Sequence, residues 1–237
     1  MKFFRTLFLA VVAVSFAVSA NAGDQNLTVV ELYTSEGCSS CPPADKFVSE
    51  LSKRDDILAL SLHVDYWDYI GWKDRFADPR YTQRQRGYAK LFQLRYVYTP
   101  QVVVDGVFEA VGSDRAKINS ILAKARKARK VPVHLSGNAD GMVIDLPAAD
   151  VGDVRVYSVF YNRRRESQVK RGENSGRKLG HSNVVTDMIE IATWNGEATK
   201  ISVPVSDKGG EVCAVILQSM STGRIIGASR LSLDGKS

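Results

Sequence analysis

Cys38-Ser39-Ser40-Cys41-Pro42-Pro43 holds the residues of this chain best suited to chemistry. Two residues between cysteines let the sulfurs close a small disulfide that can open again by exchange. A strand-like apolar run, residues 27–33, precedes the pair, and a helix-like run, residues 44–52, follows it. A helix N-terminus presents unpaired N–H groups and the positive end of the helix dipole, and both stabilise a thiolate. Pro42 and Pro43 suit the first helical turn, where no intrahelical N–H bond is lost. Cys38 is therefore expected as the exposed nucleophile and Cys41 as the buried resolving thiol. The plainer readings are a structural disulfide or half a zinc site. A zinc ribbon needs a second pair of Cys or His at matching spacing, and the sequence has only one further cysteine, Cys213.

These cysteines need a compartment. The chain opens with Lys2 and Arg5, an apolar run over residues 7–18, and Ala20-Asn21-Ala22. A basic start, a short apolar stretch and an Ala-x-Ala site predict a secretory signal peptide over residues 1–22, cleaved after Ala22. The run is too short to span a bilayer comfortably, so no membrane anchor is expected. The mature protein is expected in a bacterial periplasm or outside the cell, where disulfides persist. The formal charge of +6 falls to +4 when Lys2 and Arg5 leave. That balance is too weak to argue for nucleic acid.

The elements that must position the pair alternate in the first half. Strand-like runs at 57–64 and 101–104 enclose a polar helical stretch at 74–94. Asp105-Gly106 signals a tight hairpin, and Ser113 is expected to cap a helix running to Arg129. After Pro132 the pattern changes to short strand-like runs separated by turns such as Asn195-Gly196, which argues for an antiparallel sandwich. Cys213 falls in one of these runs and is expected as a small core residue. Arg163-Arg164-Arg165, Lys170-Arg171 and Arg177-Lys178 are expected on a solvated hairpin loop.

Thr99-Pro100 directly precedes the strand-like run 101–104, about sixty residues after the Cys pair. That order resembles the thioredoxin superfamily over residues 26–130, and the resemblance implies a cis proline beside the cysteines. The buried acid that thioredoxins carry six residues before the first Cys is Leu32 here, with Glu31 one position earlier. Residues 30–45, residues 63–74 (with His63-Val64-Asp65-Tyr66-Trp67) and the stretch from Arg171-Gly172-Glu173-Asn174 to Val185 are similar to a secreted bacterial family, domain of unknown function 1223. Together these imply an α/β thioredoxin-like domain over residues 23–130, followed by an all-β, antiparallel sandwich-like domain over residues 131–237.

The expected catalytic set is Cys38, Cys41, Thr99, Pro100 and His63. Thr99 would pair with substrate, and His63, after the second strand, would relay protons. Tyr66, Trp67, Tyr69 and Trp72 would grip a peptide substrate. The expected activity is thiol–disulfide exchange on exported proteins, with no organic cofactor and with a membrane redox partner. Two other readings stand beside it. One is Cu(I) handling through Cys38, Cys41 and His63, since soft thiolates suit that ion. The other is a partner-binding module in which the Cys pair is only scaffold.

Overall fold

The computed structural model describes residues 27–137, 141–204 and 209–233. The expected signal peptide lies outside the described residues.

The chain runs through β1 (Thr28–Thr34), α1 (Pro42–Leu51), β2 (Ile57–His63), α2 (Pro79–Leu91), β3 (Gln101–Val104), β4 (Phe108–Val111) and α3 (Arg115–Ala125). It continues as β5 (His134–Gly137), β6 (Gly141–Leu146), β7 (Val154–Gln168), β8 (Lys178–Trp194), β9 (Thr199–Pro204), β10 (Val212–Ser219) and β11 (Ile225–Ser232). Helix starts follow local chemistry. α2 begins at Pro79 because the Asp78 carboxylate accepts from the Arg80 N–H at 2.8 Å. The helix is shorter than the expected 74–94, since Asp74 turns inward and accepts from the backbone of Phe76 and Glu36. Asp114, not Ser113, caps α3 by accepting from the Lys117 N–H.

The expected fold class is corrected by the sheet. Strand makes up 43 % of the described residues and helix 18 %, so the structure is mostly β. One mixed eight-stranded sheet, in the order β11-β10-β7-β8-β2-β1-β3-β4, takes strands from both halves of the chain. An α/β thioredoxin-like unit followed by a separate all-β unit does not describe it. The join is β2 against β8, parallel, at Ser61 and Val184. Side chains reinforce it. Asn183, in the left-handed region at φ 49°, donates to the Ala59 carbonyl at 2.7 Å, and the Ser61 hydroxyl donates to the Ser182 carbonyl at 2.8 Å. A pairing across that sequence separation leaves no local signal.

The sheet is covered on both faces, which explains why β1 and β2 are buried throughout. Val29 and Tyr33 point with Leu58, Leu60 and Leu62 toward Tyr81 and Tyr88 of α2. Val30 and Leu32 point the other way, into a cluster with Phe47 and Val48 of α1 and Ile118 and Leu122 of α3. A small sheet, β5-β6-β9, packs its Leu135, Met142 and Ile144 against Val156, Val215 and Leu217 of the large one. Cys213 is a free, buried thiol in that cluster, 3.4 Å from the Ser158 hydroxyl, and burial pushes its pKa up to about 11. Cys213→Ala should therefore leave disulfide chemistry intact and cost about 1 kcal/mol in a urea melt. Lost exchange with unchanged stability would contradict this placement.

The basic segment is loop only in part: Lys170, Arg171 and Arg177 lie in the β7–β8 turn, while Arg163-Arg164-Arg165 and Lys178 lie on the strands. From Asn162 to Gln168, β7 pairs with residues 178–184 of β8, forming a two-stranded arm that leaves the sheet and packs along α1. The Ser182 and Ser49 hydroxyls hydrogen-bond at 2.8 Å along that contact. Charge runs read locally as solvated turns, but here Arg164 and Arg165 are ladder positions opposite Ser182 and His181.

Candidate functional site

Cys38 and Cys41 form a disulfide with Cα atoms 5.4 Å apart. Cys41 is the N-cap of α1, and its carbonyl accepts from the N–H groups of Ala44 and Asp45. The expected exposed nucleophile is corrected here: Cys38 and Cys41 are both 0 % exposed, while Ser39 and Ser40 between them face solvent. The tip of the arm holds the backbone of this turn. The Asn174 side-chain amide donates to the Glu36 and Cys38 carbonyls, each at 2.9 Å, and the Ser39 N–H donates to the Glu173 carboxylate at 3.2 Å. Arg177 holds Asn174 in place by donating to its side-chain oxygen at 2.8 Å. These contacts span more than 130 positions of sequence.

The Thr99–Pro100 bond is cis. Pro100 lies near the start of α1. A Cβ built on Gly112 would sit 3.0 Å from the Pro100 Cβ and 2.9 Å from the Ala44 Cβ, so only glycine fits between them. Gly112→Ala should cost roughly 1–3 kcal/mol by overpacking, read as a lowered urea midpoint. A neutral substitution would mean that this contact is loose. Thr99 presents its hydroxyl to the Trp67 indole N–H, which donates at 2.7 Å.

Trp67 also packs its Cβ 3.1 Å from the site where Gly37 would carry a side chain. It therefore joins the Cys turn to the Thr99–Pro100 segment. Trp72 donates through its indole N–H to the Glu36 carboxylate at 2.7 Å and packs beside Gly172 at the arm tip. Tyr66 donates through its hydroxyl to Gln85 of α2 at 3.2 Å, close to the Thr99 hydroxyl, and burial pushes its pKa up to about 12. Tyr69 is 83 % exposed. Of the four expected grip residues, two therefore brace the turn and one stands free in solvent.

A buried charged cluster stands under the same turn. His63 is fully buried, with Nδ1 2.6 Å from the Asp74 carboxylate. Its ring meets the ring of His181 edge-on, with centroids 4.6 Å apart. His181 stands 3.6 Å from Glu36 on one side and 3.6 Å from Asp45 on the other. Burial works against its charge, but the two carboxylates prevail and raise its pKa to about 10, making it an imidazolium at neutral pH. Burial likewise opposes ionisation of Glu36, yet His181 and the Trp72 N–H hold its carboxyl below the ordinary range. Among the described residues, no group of three or more His, Cys, Asp or Glu side chains is arranged to hold a metal ion. Glu31 faces away from this cluster toward α2 and pairs with Arg84.

Glu173, Asn174 and His181 had not been singled out as site residues from the sequence. Their signal was the family-like stretch over residues 171–185, whose glycines at 172 and 176 take φ of 75° and 81° and turn the arm tip back.

Among curated proteins, none matches the chain. Two solved structures resemble it. A crystal structure of protein AGR_C_4864 from Agrobacterium tumefaciens is 33 % identical, with a TM-score of 0.79, over 89 % of this chain and 96 % of that one. The structure of HBP35 of Porphyromonas gingivalis shares the fold at 16 % identity, with a TM-score of 0.63, over 91 % of this chain and 77 % of that one. The profile of a family described as "protein of unknown function (DUF1223)" matches residues 29–218, a span holding the Cys turn, the Thr99–Pro100 segment and the arm, and the chain belongs to that family.

Proposed function

We propose that the chain is an exported thiol–disulfide exchange protein, with the Cys38–Cys41 disulfide as its working group. The observation that carries this is the position of that disulfide. It closes a three-residue step at the N-terminus of a ten-residue helix, where a released thiolate meets unpaired N–H groups and the positive dipole end. A disulfide serving only as a staple gains stability by closing a long loop, and this one closes almost none. The cis Thr99–Pro100 bond, with Pro100 near Ala44 in the first turn of α1, supports the same reading.

Exchange proceeds without a cofactor. A substrate thiolate attacks Cys38 Sγ, the Cys38–Cys41 bond breaks, and Cys41 leaves as a thiolate that takes up a proton. A second substrate thiol then attacks the mixed disulfide and releases Cys38. The substrate loses two electrons and the Cys pair gains them; the reverse sequence reduces a substrate disulfide. Because both sulfurs are buried under the arm tip, the tip must move aside before attack. The natural substrates on this reading are thiols and disulfides of other exported proteins, with a membrane redox partner to reset the pair.

Chelator-treated protein should catalyse reduction of insulin by dithiothreitol, and Cys41→Ser should trap a substrate through a mixed disulfide at Cys38. A pair that is readily reduced and reoxidised, yet neither accelerates insulin reduction nor traps any thiol in the Cys41→Ser variant, would make the disulfide structural and overturn the proposal.

A further inference from the structure

The second helix buries Tyr81, Thr82, Gln85, Tyr88 and Ala89 against the sheet and carries a second, more open stripe beside that face. Residues 80, 83, 84, 87, 88 and 91 recur at helical spacing, so they form one stripe, and all of them line a cavity between α2 and the sheet. Only Tyr88 of this stripe is buried; Arg84 is half-buried, and Arg80, Gln83, Gly87 and Leu91 are exposed along the cavity mouth. This stripe reads Arg, Gln, Arg, Gly, Tyr, Leu.

The cavity measures about 540 Å³, within the range of small-molecule sites. It lies on the α2 face of the sheet, away from the α1 and α3 layer. Its floor is a closed polar network. The Arg84 guanidinium donates to Glu31 at 2.6 Å, to the Tyr88 hydroxyl at 3.0 Å and to Gln218 at 3.0 Å, and the Tyr88 hydroxyl donates to Glu31 at 2.6 Å. Glu31 is fully buried. A buried ion pair is weak as a source of stability, because desolvation offsets most of its attraction, so packing alone gives little reason to keep it here.

The walls combine two characters. Tyr157, Met188 and Met220 offer apolar surface, and Tyr157 already lies against the Arg84 guanidinium at 5.1 Å. Leu91 and Met220, on the rim, are among the few large apolar side chains left exposed. Arg80 and Arg155 stand half-exposed at the edge, and the one carboxylate of the floor network, Glu31, is fully buried behind Arg84 and Tyr88 and does not line the cavity. The partners of Arg80 and Arg155, namely Asp78, Asp187 and Glu190, do not line it.

Gly87 is the most telling position. It occupies the middle of α2, where glycine is among the least favourable residues. It has no positive φ to explain it, and a Cβ added there would meet nothing within 4 Å. Neither the backbone nor the packing requires glycine at that point. What its missing side chain provides is room in the cavity.

We infer that this cavity is a binding site for a small organic acid with an aromatic or aliphatic body. The apolar part would lie along Tyr157, Met188 and the bare helix at Gly87. The carboxylate would reach the rim, where Arg80 and Arg155 can share hydrogen bonds with it beyond their present partners. The site is independent of the disulfide and of the exchange activity proposed for it.

Calorimetric titration tests this on the whole chain, with 2-naphthoate, 3-phenylpropionate and octanoate as probes beside their neutral amides. At least one carboxylate should bind with 1:1 stoichiometry, and its amide should bind about tenfold more weakly or worse, since only the acid offers a charge-assisted hydrogen bond. Gly87→Leu fills the space while improving helix propensity, so it should abolish binding and leave the melting temperature unchanged or higher. Arg155→Gln, at an exposed rim position, should weaken the carboxylate and leave the amide unaffected. If Gly87→Leu fails to fold, the Arg155 comparison decides. Absence of binding by all three acids, equal binding of acid and amide, or undiminished binding in a folded Gly87→Leu variant would overturn the inference.

Discussion

Asn174→Leu should speed reduction of the Cys38–Cys41 disulfide by dithiothreitol ten- to a hundredfold. The side-chain amide of Asn174 makes two buried hydrogen bonds, to the Glu36 and Cys38 carbonyls. Leucine keeps the approximate volume and removes both. The Cys38 carbonyl keeps the Cys41 N–H at 3.2 Å, but a buried Glu36 carbonyl left without a donor costs about 1–3 kcal/mol, and that cost falls on the closed arrangement alone, because water satisfies the carbonyl once the tip has lifted. A change of about 1.4 kcal/mol in the opening equilibrium is a factor of ten in the fraction open. The reductant attacks only the open form, so its rate follows that fraction. Global stability must be measured alongside. If the urea midpoint falls while the reduction rate in native buffer stays at the wild-type value, the tip does not gate the sulfurs.

His181→Gln should be the most destabilising single change in the site, by roughly 3–5 kcal/mol, because removing one partner of a buried ion cluster strands the others. Glu36 and Asp45 would lose the cation between them, with Asp74 and His63 close by. The same geometry fixes a pH dependence. The His181 pKa is about 10 in the folded protein, against about 6.5 for an unperturbed histidine. A group whose pKa rises on folding stabilises fully below its unfolded pKa and loses that contribution as pH climbs through the folded value. Wild-type stability should therefore decline between about pH 6.5 and pH 10, by an amount on the order of several kcal/mol, and the variant should show a flatter curve over that window. Parallel curves for the two proteins would mean that His181 is neutral and that the carboxylates carry the protons.

The Cys-x-x-Cys turn and the local elements around it are legible without a structure. Cys-x-x-Cys followed by two prolines marks a helix start because the first turn has no N–H bond to lose, and α1 begins at Pro42. Thr99-Pro100 before an apolar run marks the entry to β3, and Val212-Cys213-Ala214-Val215 reads as a buried strand because nothing polar alternates through it. Such signals act over a few residues, where backbone geometry and side-chain period decide.

What they could not disclose was how the two halves meet. The join of β2 to β8 rests on one register pair and on Asn183 and Ser61, residues whose partners lie more than 120 positions away. No periodicity encodes a contact at that separation, so two apparent units proved to share one sheet. The burial of Cys38 escapes the sequence for the same reason. A turn read alone looks open to solvent. The arm formed by β7 and β8 closes over it with Asn174 and Glu173, and only the tertiary structure brings that tip to the disulfide. His181 followed suit, because a charge is assigned by its neighbours, and Glu36 and Asp45 become its neighbours only once the arm has packed against α1.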